Sequence, residues 1–336
     1  MSSPSITTLA IETSCDDTCA AVVRDGVILA NVISSQPEHD AFGGVVPEVA
    51  ARSHLQLIEP VVRAALRDAQ IAEADIDRVA VTAGPGLSGA LLIGLSYAKA
   101  FAAARGLPLV AVDHLHGHVC ASFLEPEPVD PPMLSLIASG GHTFLAAVRG
   151  HTADDIEVLG RTLDDAAGEA IDKGARMLGL PFPGGAPLQA LAEQGDSEAF
   201  DLPLAHGVPG LDFSFAGLKT ALLYLIRDLG EQEAQVRRAD LAASYQRAVV
   251  EQLASRVKRA MAETGMTRLA IGGGVAANGP LRARLAELTG DIHVPAPELC
   301  TDNAAMIAAA AAHTPVLTGS GVLTAEVYAT GQRGIA

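Results

Sequence analysis

An α/β fold in two lobes is what the sequence predicts, on three observations. Apolar runs of strand length alternate with longer Ala/Leu-rich segments of helical period, as where RVAVTAGPG (78–86) is followed by LSGALLIGLSYAKAFAAARG (87–106). Strands separated by helices in this way point to an α/β architecture. The segment LEPEPVDPPM (124–133) holds four prolines and three acids, so it can form neither a helix nor a central strand and reads as a connection between lobes. The third observation is a weak internal repeat on either side of that connection. LAIETSCDDTCAAVVRDG from Leu9 and LSLIASGGHTFLAAVRG from Leu134 each give an apolar strand, a Ser-x-x-x-Thr turn, a second apolar strand, then Arg and a nearby Gly.

Taken in order, the first hairpin has a small, hydroxylic turn, with Ser14 and Thr18 matching Ser139 and Thr143 of the second. Such turns can bring backbone N–H groups close to phosphate. Two ordinary hairpins would leave the same trace. HDAFGGVVPEVAARSH (39–54) carries His39, Glu48, Arg52 and His54 after a Gly-Gly turn, a charged cluster that could cap a cleft, engage a nucleic acid or form a structural network. AGPGLSG (83–89) and IGGGVAANG (271–279) link strand to helix, and LPFPGGAP (180–187) is a loop. Glycine there permits close backbone approach to a ligand, although none of the three is a GxxxxGK[ST] or a spaced GxGxxG motif. With the duplicated hairpin they predict a nucleotide held between the lobes. Asp164 and Asp165, at the head of DDAAGEAIDKGARML, read as carboxylates at a helix N-terminus, and Phe213 and Phe215 as core aromatics rather than base-stacking platforms.

Composition bounds the function. A chain of 336 residues, 49% hydrophobic, can bury a large core, and its apolar runs stop short of the roughly 20 residues that a membrane span needs. With no basic region ahead of an apolar one at the N-terminus, a cytoplasmic protein without membrane association is expected. Cys15, Cys19, Cys120 and Cys300 form no CxxC pair and read as small buried residues. A formal charge of −16 argues against a general nucleic-acid binder. Residues 237–284 reverse the sign locally, with nine Arg or Lys against three acids, which predicts either a phosphate-binding patch or a solvated helix surface.

DHLHGHVCASF (113–123) places three histidines in five positions after an apolar run. Asp113 can cap a helix on which His114 and His118 stand at i and i+4, on one face, with His116 pointing elsewhere. A zinc peptidase of the HExxH type needs a glutamate where this chain has Leu115. Two histidines on one face still make half a site for a divalent transition metal that wants a third, often carboxylate, ligand. A pair of hydrogen-bonded histidines fits the spacing equally well.

Ten ordered segments then resemble one family along nearly the whole chain: IETSCDDT, FGGVVPEVAARSH, GPGLSGALLIGLSYAK, VDHLHGHV, ASGGHT, DDAAGEAIDKGARMLGL, PFPGG, DFSFAGLKTA, GGGVAAN and CTDNAAM. They are similar to the successive motifs of the bacterial tRNA threonylcarbamoyladenosine transferase family TsaD, also called YgjD or Gcp. The resemblance implies a two-lobe actin-like, Hsp70-like (ASKHA) fold with a nucleotide cleft, the first lobe taking 1–125 plus 301–336 and the second 126–300. It implies one divalent metal, iron or else zinc, on His114, His118 and Asp302. A substrate-phosphate loop is implied at Ile137, Ala138, Ser139, Gly140 and Gly141, and adenosine contacts at Asp172, Gly185 and Asn278. Gln189 stands where some relatives have a carboxylate, so no ribose contact carries over to it. Asp16 and Asp17 match an acidic pair tied to transfer.

The family's reaction moves a threonylcarbamoyl group from threonylcarbamoyl-AMP to N6 of the adenosine just 3′ of the anticodon in tRNAs reading codons that begin with adenine. The implied partners are tRNA, an inactive paralogue of the same fold (TsaB-like) and a small P-loop ATPase (TsaE-like). Other function classes differ in what they require. A sugar kinase or simple ATPase of this fold has no use for a His, His, Asp set. A metallopeptidase, the older sialoglycoprotease label of the family, would lack the HExxH glutamate, and a scaffold would consume no adenylate.

Overall fold

The computed structural model describes residues 5–42, 44–124, 126–205 and 207–329. Gly43 of the Gly-Gly turn and Glu125 at the expected lobe boundary lie outside them. The chain divides into two compact units, one formed by residues 1–131, 149–156 and 301–336, the other by 132–148 and 157–300.

The first unit opens with the expected hairpin, β1 (Thr7–Glu12) and β2 (Asp17–Arg24), extended by β3 (Val27–Ser35). Helix α1 (Pro47–Asp68), β4 (Arg78–Gly84), α2 (Ser88–Arg105), β5 (Leu109–Asp113) and the short α3 (His114–Cys120) follow. The sheet runs β3-β2-β1-β4-β5, antiparallel among the first three strands and parallel from β1 to β4 to β5. Every residue of β1 is buried, as a strand covered on both faces requires.

The second unit repeats this order. Its hairpin is β6 (Met133–Ala138) and β7 (Thr143–Val148), followed by β8 (Ile156–Arg161), then α4 (Ala167–Met177), α5 (Gly185–Ala192), α6 (Ala216–Leu229), α7 (Glu231–Val236) and the long α8 (Arg238–Thr264). Next come β9 (Leu269–Gly272), α9 (Gly279–Ala286), β10 (Ile292–His293) and α10 (Pro297–Cys300). The sheet order is β10-β9-β6-β7-β8, with β6 and β7 antiparallel and β6, β9 and β10 parallel. The internal repeat in the sequence is therefore a repeat of topology. The chain then returns to the first unit as α11 (Ala304–Ala311), which packs on α3 and across β1 and β2.

The core of the second unit gathers on α8, where Tyr245 is fully buried and its hydroxyl donates to Ala170 O at 2.8 Å. Apolar side chains buried here, such as Leu134, Leu136 and Leu253, contribute about 1.5–3 kcal/mol each. Phe213 and Phe215 belong to this core, their rings stacked at 6.4 Å. Gly273 closes β9 at φ +83°, and a Cβ there would lie 2.2 Å from the carbonyl oxygen of Ala138. Both conformation and space demand glycine, so Gly273→Ala should destabilise the chain by about 2–4 kcal/mol. Thermal unfolding checks this; an unchanged midpoint would mean that the β6–β9 approach is looser than described.

Candidate metal centre and nucleotide cavity

Strand β5 ends at Asp113, whose carboxylate accepts the N–H groups of Leu115 (2.8 Å) and His116 (3.0 Å) and so fixes the first turn of α3. One turn apart, the rings of His114 and His118 meet edge to face, with centroids 4.6 Å apart. His116 instead turns its Nε2 to His151 O at 3.0 Å. Gly117 lets α11 approach: a Cβ there would sit 2.9 Å from Ile307 Cδ1. Asn303 caps α11 by accepting from Met306 N at 3.0 Å and donates to Thr301 O at 2.8 Å. Asp302 is thereby anchored on both sides, and the Cys19 thiol reaches its backbone oxygen at 3.5 Å. Asp302 Oδ1 lies 3.2 Å from His118 Nε2 and 3.7 Å from His114 Nε2. One donor atom from each of the three residues falls within 4.8 Å of the others.

The donor set fits a divalent metal. His118 Nε2 is buried and makes no hydrogen bond, its 3.2 Å approach to Asp302 lying outside hydrogen-bond geometry. An orphaned buried nitrogen of this kind costs about 1–3 kcal/mol, a cost that a cation between the ligands removes. Behind His114 stands Glu12, fully buried, with Oε2 at 3.0 Å from His114 Nδ1 and 2.5 Å from Thr82 Oγ1; its other oxygen accepts from Ser14 N. Burial works to raise the Glu12 pKa, but the charge and hydrogen bond of His114 outweigh it and hold the carboxyl below its usual range. Burial likewise opposes charge on His114, yet Glu12 and Asp302 lift it to about 9. A carboxylate on the far nitrogen orients a metal-binding imidazole and raises its basicity. Glu12→Gln keeps the shape and removes the charge, so it should weaken metal affinity about 10- to 100-fold, as competition with a chelator would measure. Equal affinity in that variant would make Glu12 a structural residue only.

The turn after β1 is held on several sides. Thr13 Oγ1 donates to Ala90 O (3.0 Å), Leu87 N donates to Ser14 O (2.8 Å), and His54 bridges Thr18 Oγ1 (2.8 Å) and Cys15 O (3.0 Å). His54 and His39 are thus buried structural groups, the latter against Gln36, while Glu48 and Arg52 form an exposed i, i+4 pair. The turn presents Asp16 and Asp17. Burial, then the charges of Asp302, Asp16 and Glu12, push Asp17 up to about 6 against a hydrogen bond from Ser35, and its Oδ1 is buried without a hydrogen bond.

A cavity of about 410 Å³ opens in the second unit, with Gly140, Asp172, Gly185 and Asn278 in its wall. Ile171, Pro183, Val275 and Ala277 supply apolar surface, and Gln189 and Glu193 stand at one side. A Cβ on Gly140, Gly185 or Gly274 would meet no protein atom within 4 Å, so bare backbone forms much of the wall. Asp172 Oδ1 accepts from Gly184 N at 2.7 Å, and burial raises the pKa of its carboxyl. Asn278 caps α9 through Leu281 N (2.9 Å) and donates to Gln246 Oε1 at 3.0 Å. Ile137, Ala138, Ser139 and Gly141 do not line this cavity. The side chains of Ile137 and Ala138 are in the core, and Ser139 Oγ accepts from His142 N (3.0 Å) and Gly141 N (3.3 Å) to shape the turn. Ile171, Gln189 and Glu193 were not singled out as contacts from the sequence, although Gln189 and Glu193 stand i, i+4 on one helix face.

Two charge expectations change in the fold. Asp164 caps α6 rather than its own helix, accepting from Phe215 N (2.7 Å) and Ala216 N (3.2 Å), while Asp165 pairs with Lys173 and Lys219. The basic stretch 237–284 is largely matched: Arg237 pairs with Asp240, Arg247 with Glu198, Arg259 with Glu263, Arg268 with Asp291, and Arg284 with Glu251 and Glu287. Arg256 is buried and bonds to backbone oxygens. Glu198, Glu287 and Asp291 lie outside the counted window, so the fold sets acids beside the stretch that the linear count omits.

Fold and site together define a two-lobe actin-like α/β protein with a histidine and carboxylate centre suited to one divalent metal. Solved structures share the fold: HypF from T. kodakarensis (TM-score 0.62, 15% identity, 95% of this chain and 48% of that one) and the (R)-2-hydroxyglutaryl-CoA dehydratase component A of Acidaminococcus fermentans (TM-score 0.54, 17% identity, 92% and 96%). The family described as TsaD: tRNA N6-adenosine threonylcarbamoyltransferase matches residues 27–309. Proteins of that name from Pelobacter propionicus and Symbiobacterium thermophilum are 50% identical over 331 residues (96% of each chain) and 52% identical over 308 residues (90% of this chain, 89% of the relative). The chain belongs to the TsaD family. Among the described residues no helix is long and apolar enough to cross a membrane.

Proposed function

We propose that the chain transfers the threonylcarbamoyl group of threonylcarbamoyl-AMP to N6 of the adenosine 3′ of the anticodon, in tRNAs reading codons that begin with adenine. The observation that carries this reading is the set of buried His114 and His118 with half-buried Asp302, beside the acidic turn of Asp16 and Asp17, in a chain of this family. In the transfer, the exocyclic amine attacks the carbamoyl carbon, the bond from that carbon to the phosphate oxygen breaks, and AMP leaves. The amine is a weak nucleophile, so its proton must be removed as the C–N bond forms. Asp17 takes that role, its carboxyl being pushed up to about 6, chiefly by burial.

The adenosine end of the substrate goes to the cavity of the second unit, where Ile171, Val275 and Ala277 give the base an apolar wall and Gly140 and Gly185 admit it closely. Asp172 and Asn278 supply polar contacts, one N–H of the Asn278 amide already going to Gln246. The loop 137–141 takes the phosphate through its backbone. His114, His118 and Asp302 would hold the ion, iron first and zinc second. Bound there, it supplies positive charge that binds and orients the activated acyl group. Neither a sugar kinase nor a peptidase needs this set: the one uses magnesium and a carboxylate base, and the other wants a glutamate where Leu115 is buried.

With the chain acidic overall and most Arg of 237–284 ion-paired, it binds tRNA weakly alone. It works in the cytoplasm with a paralogue of the same fold and a small P-loop ATPase. Incubating the metal-loaded protein with threonylcarbamoyl-AMP and tRNA, with and without those partners, should give threonylcarbamoyladenosine only with the chain present. Absence of product in every combination would overturn the reading.

A further inference from the structure

Beyond α11 the described chain stays on the first unit. Val322 and Ala325 are buried in its core and Val327 packs against that core, so the segment is anchored just ahead of Tyr328. The main chain is held as well, Tyr328 N donating to Ala83 O at 2.9 Å near the end of β4. Gly84 makes room for this approach. A Cβ there would lie 2.2 Å from Tyr328 O and 2.8 Å from two carbons of its ring, so only bare backbone lets the segment lie so close. Gly84 pairs with Asp113 in the β4–β5 register. From its place against Gly84 the Tyr328 side chain reaches across to β5, where its hydroxyl donates to Asp113 Oδ2 at 2.6 Å.

The two oxygens of Asp113 are thus committed to different tasks. Oδ1 accepts from Leu115 N and His116 N and starts α3, while Oδ2 is held by Tyr328. A carboxylate with one oxygen unheld can turn about its Cβ–Cγ bond, and turning it misaims the capping bonds. Held from the other side, it keeps one orientation. This matters at α3 because a helix of seven residues has little stability of its own, and because His114 and His118 are its first and fifth residues. We propose that Tyr328 is a positioning residue for the metal centre: through Asp113 its hydroxyl fixes the start of α3, and with it the direction in which His114 and His118 face the ion. The inference rests on the reading of His114, His118 and Asp302 as ligands. Glu12 orients His114 alone, from behind, whereas the Tyr328 and Asp113 pair acts on the helix that bears both histidines.

The test is titration of the whole chain, stripped of metal, with cobalt(II). Affinity is read by competition with a chelator, and geometry by the visible absorption of the bound ion, which follows its coordination. Tyr328→Phe keeps the ring against Gly84 and removes only the hydroxyl. It should bind cobalt about threefold to tenfold more weakly than the wild type, with a shifted or broadened absorption band. Asp113→Ser can still cap α3 through its hydroxyl but is too short to keep both partners. It should show a loss of the same order, and Tyr328→Phe added to it should have no further effect. Wild-type affinity and absorption in Tyr328→Phe, even with a lower melting temperature, would make the hydrogen bond a purely structural one and overturn the proposal. A further loss in the double variant as large as in Tyr328→Phe alone would also overturn it, since Tyr328 would then act without Asp113. If the wild type binds no cobalt, or His118→Ala binds it as the wild type does, the ligand reading itself fails and the inference with it.

Discussion

His118→Ala is expected to leave the protein without its divalent ion and to lower the transfer rate by at least about a hundredfold. The reason lies in the local geometry. Of the three donors, His118 is the one whose Nε2 has no hydrogen bond to fall back on, whereas His114 retains Glu12 and Asp302 retains its place beside capped Asn303. Losing His118 leaves one imidazole and one partly exposed carboxylate, too few to hold an ion against water. The fold should survive, because the removed nitrogen is unsatisfied in the metal-free chain. Elemental analysis of wild type and variant, with transfer assayed in parallel, checks both halves. One ion per chain in the variant, with normal activity, would place the metal elsewhere.

The second large effect concerns protons. If Asp17 accepts the amine proton, it acts in its ionised form, and the rate should rise with pH until Asp17 is deprotonated. Its pKa is pushed up to about 6, so kcat/KM should fall about tenfold per unit as pH drops below that value and be flat above it. A cation on Asp302 would move the break lower. Asp17→Asn should lower kcat about a hundredfold and abolish the acid limb, while Asp16→Asn should retain the limb. An acid limb that persists unchanged in Asp17→Asn would remove Asp17 from the role of base. The sign for stability runs the other way. A carboxyl whose folded pKa is raised favours the folded state at low pH, and that contribution is lost as pH rises from about 4 through about 6.

What the sequence made legible is local. The α3 site could be read because its parts are neighbours: Asp113 caps the helix, and i, i+4 spacing stacks His114 on His118. Each hairpin could be read from its own alternation and turn. Asp302 came only through resemblance, since nothing near His118 in the sequence announces a ligand that arrives on another helix. Glu12 was missed for the same reason, although a lone acid closing the apolar run LAIE was a signal: a charge at the end of a buried strand needs a partner. The basic stretch is less one-sided in the fold than in a linear count, which includes only neighbours in sequence, because Glu198 and Asp291 reach it through the fold. Gln189 and Glu193 share a helix face, but only the cavity beside α5 gives that face a purpose.

The place of Asp302 in the chain has a consequence for biosynthesis. Two ligands emerge from the ribosome early, at residues 114 and 118, and the third only after the entire second unit has been made. Until α11 docks on α3, a nascent or truncated chain owns half a centre and holds an ion poorly. Docking of that last helix brings Asp302 to the histidines, and ion binding then closes a loop from residue 118 to residue 302 and stabilises the docked state by mass action. Metal occupancy thereby reports that the chain has been made and folded as far as α11, and a product that stops short of Asp302 lacks the third ligand.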